Sequence, residues 1–336
     1  MTELAMMRAV VLEELGPPEN LKIARVPVPE IGDQDVLIKV EAAGLIYADA
    51  EARRGTYYAK TKLPWRPGRE VAGTVVKTGR QVAGFKPGQR VAAIVLAAGC
   101  QADYVVASLA PYGPANVPGA DIHPLPDHVR ASQALVYLIN FRLAHMIFHA
   151  WAKVPRGADV LVHGAAGGMG IMVTQIAKAE GCRVLATCRT AAEAAFMTKT
   201  GVDECINVLE NDYVAATHAL TDGKGVPFVF NGIGGPTVDR DPLVTRPFGE
   251  IHLYGYAAGK PPLTVFDIDH TIAIKTFSAD DFFPTPAFRE ATKAMQEWFQ
   301  TRPLMEAGTI LPLEGVVEAH RMLDEGRVLG KIVLTP

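Results

Sequence analysis

The segment Val160–Ile171, VLVHGAAGGMGI, sets four glycines within seven residues, between an apolar run and an amphipathic one. On the phosphate-binding pattern Gly-x-Gly-x-x-Gly the fixed positions fall at Ala165, Gly167 and Gly170, with alanine replacing the first glycine. The middle glycine of such a loop lets backbone approach a pyrophosphate, and the third lets helix and strand pack closely. The helix start beyond it offers unpaired N–H groups and partial positive charge. Ala165, Ala166, Gly167, Gly168, Met169 and Gly170 are therefore the candidates for holding the phosphates of a dinucleotide. A Gly-rich turn also serves solely to join a strand to a helix, but here strand, loop, helix and next strand follow in the order the binding unit requires. A Walker A loop is excluded, because no Gly-Lys-Ser/Thr closes the segment.

The end of the next strand selects the dinucleotide. An NAD site places Asp or Glu there for the ribose 2′-OH, whereas a 2′-phosphate calls for Arg. The sequence reads Thr187-Cys188-Arg189-Thr190, with no carboxylate, so NADP is the expected cofactor, Cys188 and Arg189 lying at its phosphate. The bland reading of Arg189 is a solvated surface charge, and Glu193, one turn on, weighs toward NAD. Two later segments, NGIGG from Asn231 and YGYAAG from Tyr254, each follow an apolar strand at the edge where this kind of sheet collects ligands. They add Asn231, Ile233, Tyr254 and Gly255 to the cofactor set, against turn geometry as the alternative for each glycine.

Elements that position these residues follow from periodicity. DVLVH reads as a strand buried on both faces and IMVTQIAKAEG as a helix ended by Gly181. CRVLATC, ECINV, VPFVFNG and EIHLYGY are further strands, alternating with the helical AAEAAFMTKTG and DYVAATHAL. Alternation of this kind implies parallel pairing with helices on both faces. The first third instead runs through short β-type stretches punctuated by Gly and Pro, a strand-rich, barrel-like region. From Gln133 the long apolar ASQALVYLINFRLAHMIFHAWAKV fits a buried helix and marks the crossing. FREATKAMQEWFQ and LEGVVEAHRMLDEG close the chain as helices before a last strand in GRVLGKIVLTP. The expectation is an α/β chain with domains at 1–132, 133–280 and 281–336, the last returning to the first.

At 336 residues the chain exceeds what one core usually sustains, and its 49% hydrophobic, 21% charged composition is that of a folded protein. A net charge of -3 leaves no footprint for nucleic acid or an anionic membrane, so a small molecule is the expected partner. The start MTELAMMRAVVLEELG lacks a signal-peptide pattern, and no run nears the roughly 20 apolar residues of a membrane span. Cys100, Cys182, Cys188 and Cys205 are isolated, without disulfide or zinc-knuckle spacing, and imply a reduced, cytoplasmic protein.

Taken with PGREVAGTVVKTGRQVAGFKPGQRV, VFNGIGG and the terminal GKIVLTP, the HGAAGGMG loop resembles the medium-chain dehydrogenase/reductase superfamily, in its zinc-independent quinone oxidoreductase and enoyl reductase branch. The resemblance spans nearly the whole chain. It implies a GroES-like β-barrel domain, a Rossmann domain, NADP in the cleft between them, and a homodimer. It also implies hydride transfer to a quinone or to the C=C bond of an α,β-unsaturated carbonyl compound, with a crystallin-like NADPH-binding protein lacking turnover as the alternative. Tyr57 matches a tyrosine that quinone reductases hold near substrate and Tyr47 lies close by, either suited to hydrogen-bond a carbonyl oxygen, with an aromatic cleft wall as the bland reading. The matched segments further bring Phe277, Gly330 and Lys331 toward the cofactor.

Zinc alcohol dehydrogenases of the superfamily take ligands from a Cys early in the barrel and a Gly-His-Glu segment. Here those stretches read Gly44-Leu45-Ile46-Tyr47-Ala48-Asp49 and Gly68-Arg69-Glu70, so no metal is expected. His145 and His149, at helical spacing, lack a third ligand and read as structural. Other departures are Ile46 for an Asn, Leu143 for a Thr with Asn140 and Arg142 placed to compensate, Glu193 for a Lys, and Val208 for a Tyr. The Pro- and Gly-rich stretch LAPYGPANVPGADIHPLPDH is longer than the family's usual link, and KTFSADDFFPTPAF falls on its variable substrate and dimer-edge segment.

Overall fold

A computed structural model describes residues 5–113, 117–260, 268–279 and 285–336. Part of the Pro- and Gly-rich stretch, and Phe282 and Phe283 of the variable segment, lie outside the described residues. The chain divides into two compact units, Met1–Ile139 with Glu297–Pro336, and Asn140–Gln296. The sequence reading puts its crossings at 132/133 and 280/281. The helix Ala131–Tyr137 belongs to the first unit because it rests on the strands Asp35–Leu45 and Glu70–Thr78. There Tyr137 meets Phe299 edge-on at 5.7 Å, and its hydroxyl accepts from Met305 N–H at 2.9 Å.

The first unit is mainly antiparallel. Asp35–Leu45 pairs with Glu70–Thr78, Tyr104–Ser108 and the C-terminal Ile332–Thr335, and Glu70–Thr78 continues to Arg90–Val95 and Ala120–Pro124. Alternate residues such as Val36, Ile38, Val71, Val91 and Val105 point into one apolar core. Met6–Leu12 pairs with Leu21–Pro27, a strand absent from the sequence reading.

The second unit is a six-stranded, all-parallel sheet in the order Glu204–Asn207, Arg183–Cys188, Asp159–His163, Val226–Asn231, Thr245–Leu253, Ala273–Thr276. Numbered along the chain this is 3-2-1-4-5-6, so the order reverses between Asp159–His163 and Val226–Asn231, where an open α/β sheet has its ligand crevice. Helices Gly168–Ala179, Ala191–Thr200 and Tyr213–Leu220 connect the strands. Two of them start on side-chain caps: Thr190 Oγ1 accepts from Glu193 N–H, and Asp212 accepts from Val214 N–H. The long apolar run after Ile139 forms the helix Asn140–His145, which passes into a π turn over Met146–Trp151. Among the described residues, no helix is long and apolar enough to cross a membrane.

Candidate functional site

At the head of the first sheet strand the glycines have three separate jobs. A Cβ at Gly170 would lie 2.2 Å from Gly164 O and 2.6 Å from Ala165 Cα, so helix and loop approach too closely there for any side chain. A Cβ at Gly168 would lie 2.6 Å from Asn140 Nδ2. Gly167, in extended backbone at the helix cap, is open: its nearest neighbour would be Gly164 O at 3.4 Å. The first helical bond runs from Ile171 N–H to Gly167 O, which leaves the amides of Gly168, Met169 and Gly170 without an acceptor inside the helix. The open position thus sits against unpaired donors on the positive end of a 12-residue helix, the arrangement that receives an anion.

The next strand ends at Cys188, whose burial pushes its thiol up to about 11. Arg189 follows with its side chain 52% exposed and paired to Glu193 Oε1 at 2.8 Å. The other carboxylate oxygen of Glu193 accepts from Arg189 N–H at 2.6 Å. Glu193 therefore folds back and holds the arginine, so the guanidinium and the carboxylate form one unit rather than two opposed signals.

Beneath the crevice lies a polar network that periodicity does not reveal. His163 closes the first strand with Nδ1 at 2.9 Å from Thr187 Oγ1 and Nε2 at 2.9 Å from Asp241 Oδ1. Tyr213 OH donates to Asp241 Oδ1 at 3.2 Å, and Asn231 Nδ2 donates to Oδ2 at 2.6 Å. Asn231 Oδ1 in turn accepts from the backbone of Ile233 and Gly234. His163, Asn231 and Asp241 are fully buried, so a carboxylate taken from water is offset by three donors and sets the shape of the Asn231–Gly235 loop. That loop interlocks with the next: a Cβ at Gly255 would lie 2.2 Å from Gly232 O, and one at Gly232 2.5 Å from the Tyr254 ring. Burial raises the Tyr254 hydroxyl well above its ordinary range, and it has no hydrogen-bond partner among the described residues. Phe277 follows the sixth strand, donating its N–H to Leu253 O and packing beside Leu143 and Met146.

Other expected residues belong to the first unit. Tyr47 opens the helix Tyr47–Arg54, with the Arg54 guanidinium 5.3 Å from its ring centre. Tyr57 follows that helix, and Arg69 stands 5.5 Å from its ring centre. Lys331, expected near cofactor, is 3% exposed and bonded to the buried Glu70, and Gly330 precedes it with φ 76°. Asp49 accepts from Ile46 N–H at 3.1 Å and Gly68 N–H at 3.3 Å, while burial lifts its carboxyl to about 6. Among the described residues no three His, Cys, Asp or Glu side chains gather as a metal site. His145 and His149 lie with ring centres 4.4 Å apart, burial holding His145 down near 4.

A parallel sheet in the 3-2-1-4-5-6 order, with a glycine cradle at its reversal point and an antiparallel β unit in the same chain, defines a Rossmann-type two-domain protein. Residues 32–119 match a family model described as alcohol dehydrogenase GroES-like domain, and residues 168–297 one described as zinc-binding dehydrogenase. Human quinone oxidoreductase is 30% identical over 98% of both chains. The rat synaptic vesicle membrane protein VAT-1 homolog is 26% identical, over 98% of this chain and 84% of that one. Among solved structures, a mycobacterial protein complexed with NADPH superimposes with a TM-score of 0.85 at 28% identity, covering 98% of this chain and all of the other. The Pseudomonas syringae quinone oxidoreductase does so with the same score at 25% identity, over 98% of this chain and all of the other. The chain belongs to the medium-chain dehydrogenase/reductase superfamily, in its quinone oxidoreductase branch.

Proposed function

We propose that the chain is an NADPH-dependent reductase that acts on a quinone or on the C=C bond of an α,β-unsaturated carbonyl compound, without a metal. The observation that carries the reading is the cradle, closed to side chains by backbone at Gly170, crowded by the Asn140 side chain at Gly168 but open at Gly167, with a guanidinium at the end of the adjoining strand. Those residues fit a dinucleotide: 165–170 would hold the pyrophosphate, Arg189 the 2′-phosphate, and Asn231, Ile233, Tyr254 and Gly255 the part beyond it. Bound NADPH supplies a hydride, so that with one proton from Tyr57 or water a quinone becomes a hydroquinone. Support comes from the NADPH complex of the mycobacterial relative and the activity named for the human one. A homodimer in the cytoplasm goes with the reading as part of the proposal.

Loss of NADPH absorbance with a panel of quinones and enones tests it. NADPH binding without turnover on any of them would support the cofactor-binding alternative, which Leu143 favours because it packs into the apolar cluster of Met146 and Phe288. At the metal positions Ile46 offers no donor and Arg69 a cation, so prolonged chelation is expected to leave the rate unchanged. Activity restored only by added zinc would overturn that.

Arg189→Ala is expected to weaken NADPH by about 1–2 kcal/mol, roughly 5- to 30-fold, and to leave NADH unchanged. The lower part of the charge-assisted range applies because the side chain is 52% exposed and shared with Glu193. Titrating both cofactors at two salt concentrations isolates the 2′-phosphate contribution as the salt sensitivity that NADPH has beyond NADH. Equal losses for the two would make Arg189 structural.

A further inference from the structure

Arg69 is a half-buried guanidinium with no hydrogen-bond acceptor or ion-pair partner among the described residues, and the Tyr57 ring centre lies 5.5 Å from it. Its backbone is pinned on both sides. Arg69 O accepts from Val95 N–H at 2.8 Å, and Gly68 (φ 92°) is so close to Gln101 that a Cβ would meet its Cγ at 2.8 Å. Glu70, next along, opens a strand and spends its carboxylate on Lys331.

Polar groups left unsatisfied mark the same place. Gln101 is 1% exposed, yet neither its Nε2 nor its Oε1 has a partner, and Glu70 Oε1 also has none among the described residues. Asp49 lies near enough to feel the Arg69 charge but forms no ion pair with it, so the guanidinium's N–H fork is left unused. Gln101 Oε1 and Glu70 Oε1 are acceptors left without donors, whereas Arg69 is a half-buried cation left without an acceptor, a costly state for such a group.

We propose that Arg69, beside Tyr57, supplies the hydrogen-bond donors for the substrate oxygen that becomes a phenolate or enolate on reduction. The site deepens the reading of a carbonyl-reducing enzyme and rests on it. Hydride delivery places two electrons and one hydrogen on the substrate, and the charge appears on its oxygen. The guanidinium fork donates two N–H bonds to that oxygen, and the anion then takes its proton from water to give the neutral product.

The site is testable without turnover. 4-Nitrophenol, which ionises near neutrality and colours on doing so, is titrated by absorbance with the cofactor-free protein. Bound to wild type it should ionise about one pH unit lower than in water, a tenfold preference for phenolate. Arg69→Met should abolish the shift, and Arg69→Lys, which keeps the charge over Tyr57 but not the fork, should retain only part of it. Circular dichroism checks folding, and Arg69→Lys decides the matter if Arg69→Met unfolds. Absence of binding, ionisation unchanged from water, or a full shift in both variants would overturn the site. NADPH affinity is measured in parallel: a phenolate preference without NADPH binding defeats the cofactor reading alone, and NADPH binding without the preference defeats the oxyanion site alone.

Discussion

Gly170→Ala and Gly167→Val are expected to fail in opposite ways. At Gly170 the added methyl would sit 2.2 Å from a backbone oxygen and 2.6 Å from a backbone carbon, neither of which a side-chain rotation can relieve. Overpacking against backbone at a helix start should cost about 3 kcal/mol and lower the melting temperature by roughly 6–12 °C. Gly167 has φ -89° and ψ 167°, which any residue adopts, and 3.4 Å of clearance to its nearest neighbour. Gly167→Val should therefore melt within about 2 °C of wild type. Its branches then occupy the space over the helix N-terminus, and NADPH affinity should fall by at least roughly a hundredfold. Calorimetry with and without NADPH separates the two effects. A Gly167→Val protein that binds NADPH normally removes the cradle from the site.

The cradle was legible because its signals are local. Strand, turn glycine and helix lie within about 20 residues, a range over which hydrophobic period and turn chemistry govern the backbone. The strands Arg183–Cys188 and Val226–Asn231 were legible for the same reason, each being an apolar run between breakers. Leu21–Pro27 escaped because Lys22 and Arg25, three residues apart, break the period-two alternation and only its pairing with Met6–Leu12 makes it a strand. Ala273–Thr276 is four residues long and takes its strand conformation from its neighbour in the sheet. The crossing at Ile139/Asn140 depends on where Tyr137 finds Phe299, 162 residues on, which no local pattern encodes. Glu193 was read as weighing against Arg189, since spacing shows that two charges are near but not that the carboxylate also takes the arginine's own backbone N–H. His163 looked like one more residue of a buried strand, because its partner Asp241 lies 78 positions away.

That partner sets the second large effect. Asp241→Ala removes the acceptor for His163, Tyr213 and Asn231 in a fully buried setting. Tyr213 keeps Thr237 O at 3.3 Å and Asn231 keeps Thr237 Oγ1 at 2.8 Å, so the uncompensated donor is chiefly His163, beside a small cavity. An orphaned buried donor with a lost side chain costs about 3–4 kcal/mol, read as a fall in melting temperature of roughly 6–16 °C. The same loss removes one of the two anchors of the Asn231 amide that holds Ile233 and Gly234, so NADPH affinity should fall with stability. Asp241→Asn discriminates further. Its carbonyl can take the Asn231 Nδ2–H, and its NH2 can face His163 Nε2 and Tyr213 OH if the imidazole moves its proton to Nδ1, where Thr187 Oγ1 waits at 2.9 Å. A neutral His163 makes that exchange, so Asp241→Asn should recover all but about 1 kcal/mol. Were His163 a cation, the amide would leave a buried charge unpaired and Asp241→Asn would melt as low as Asp241→Ala. Melting curves of the two variants, with the His163 ring nitrogens followed by NMR, decide between the tautomer exchange and a buried ion pair.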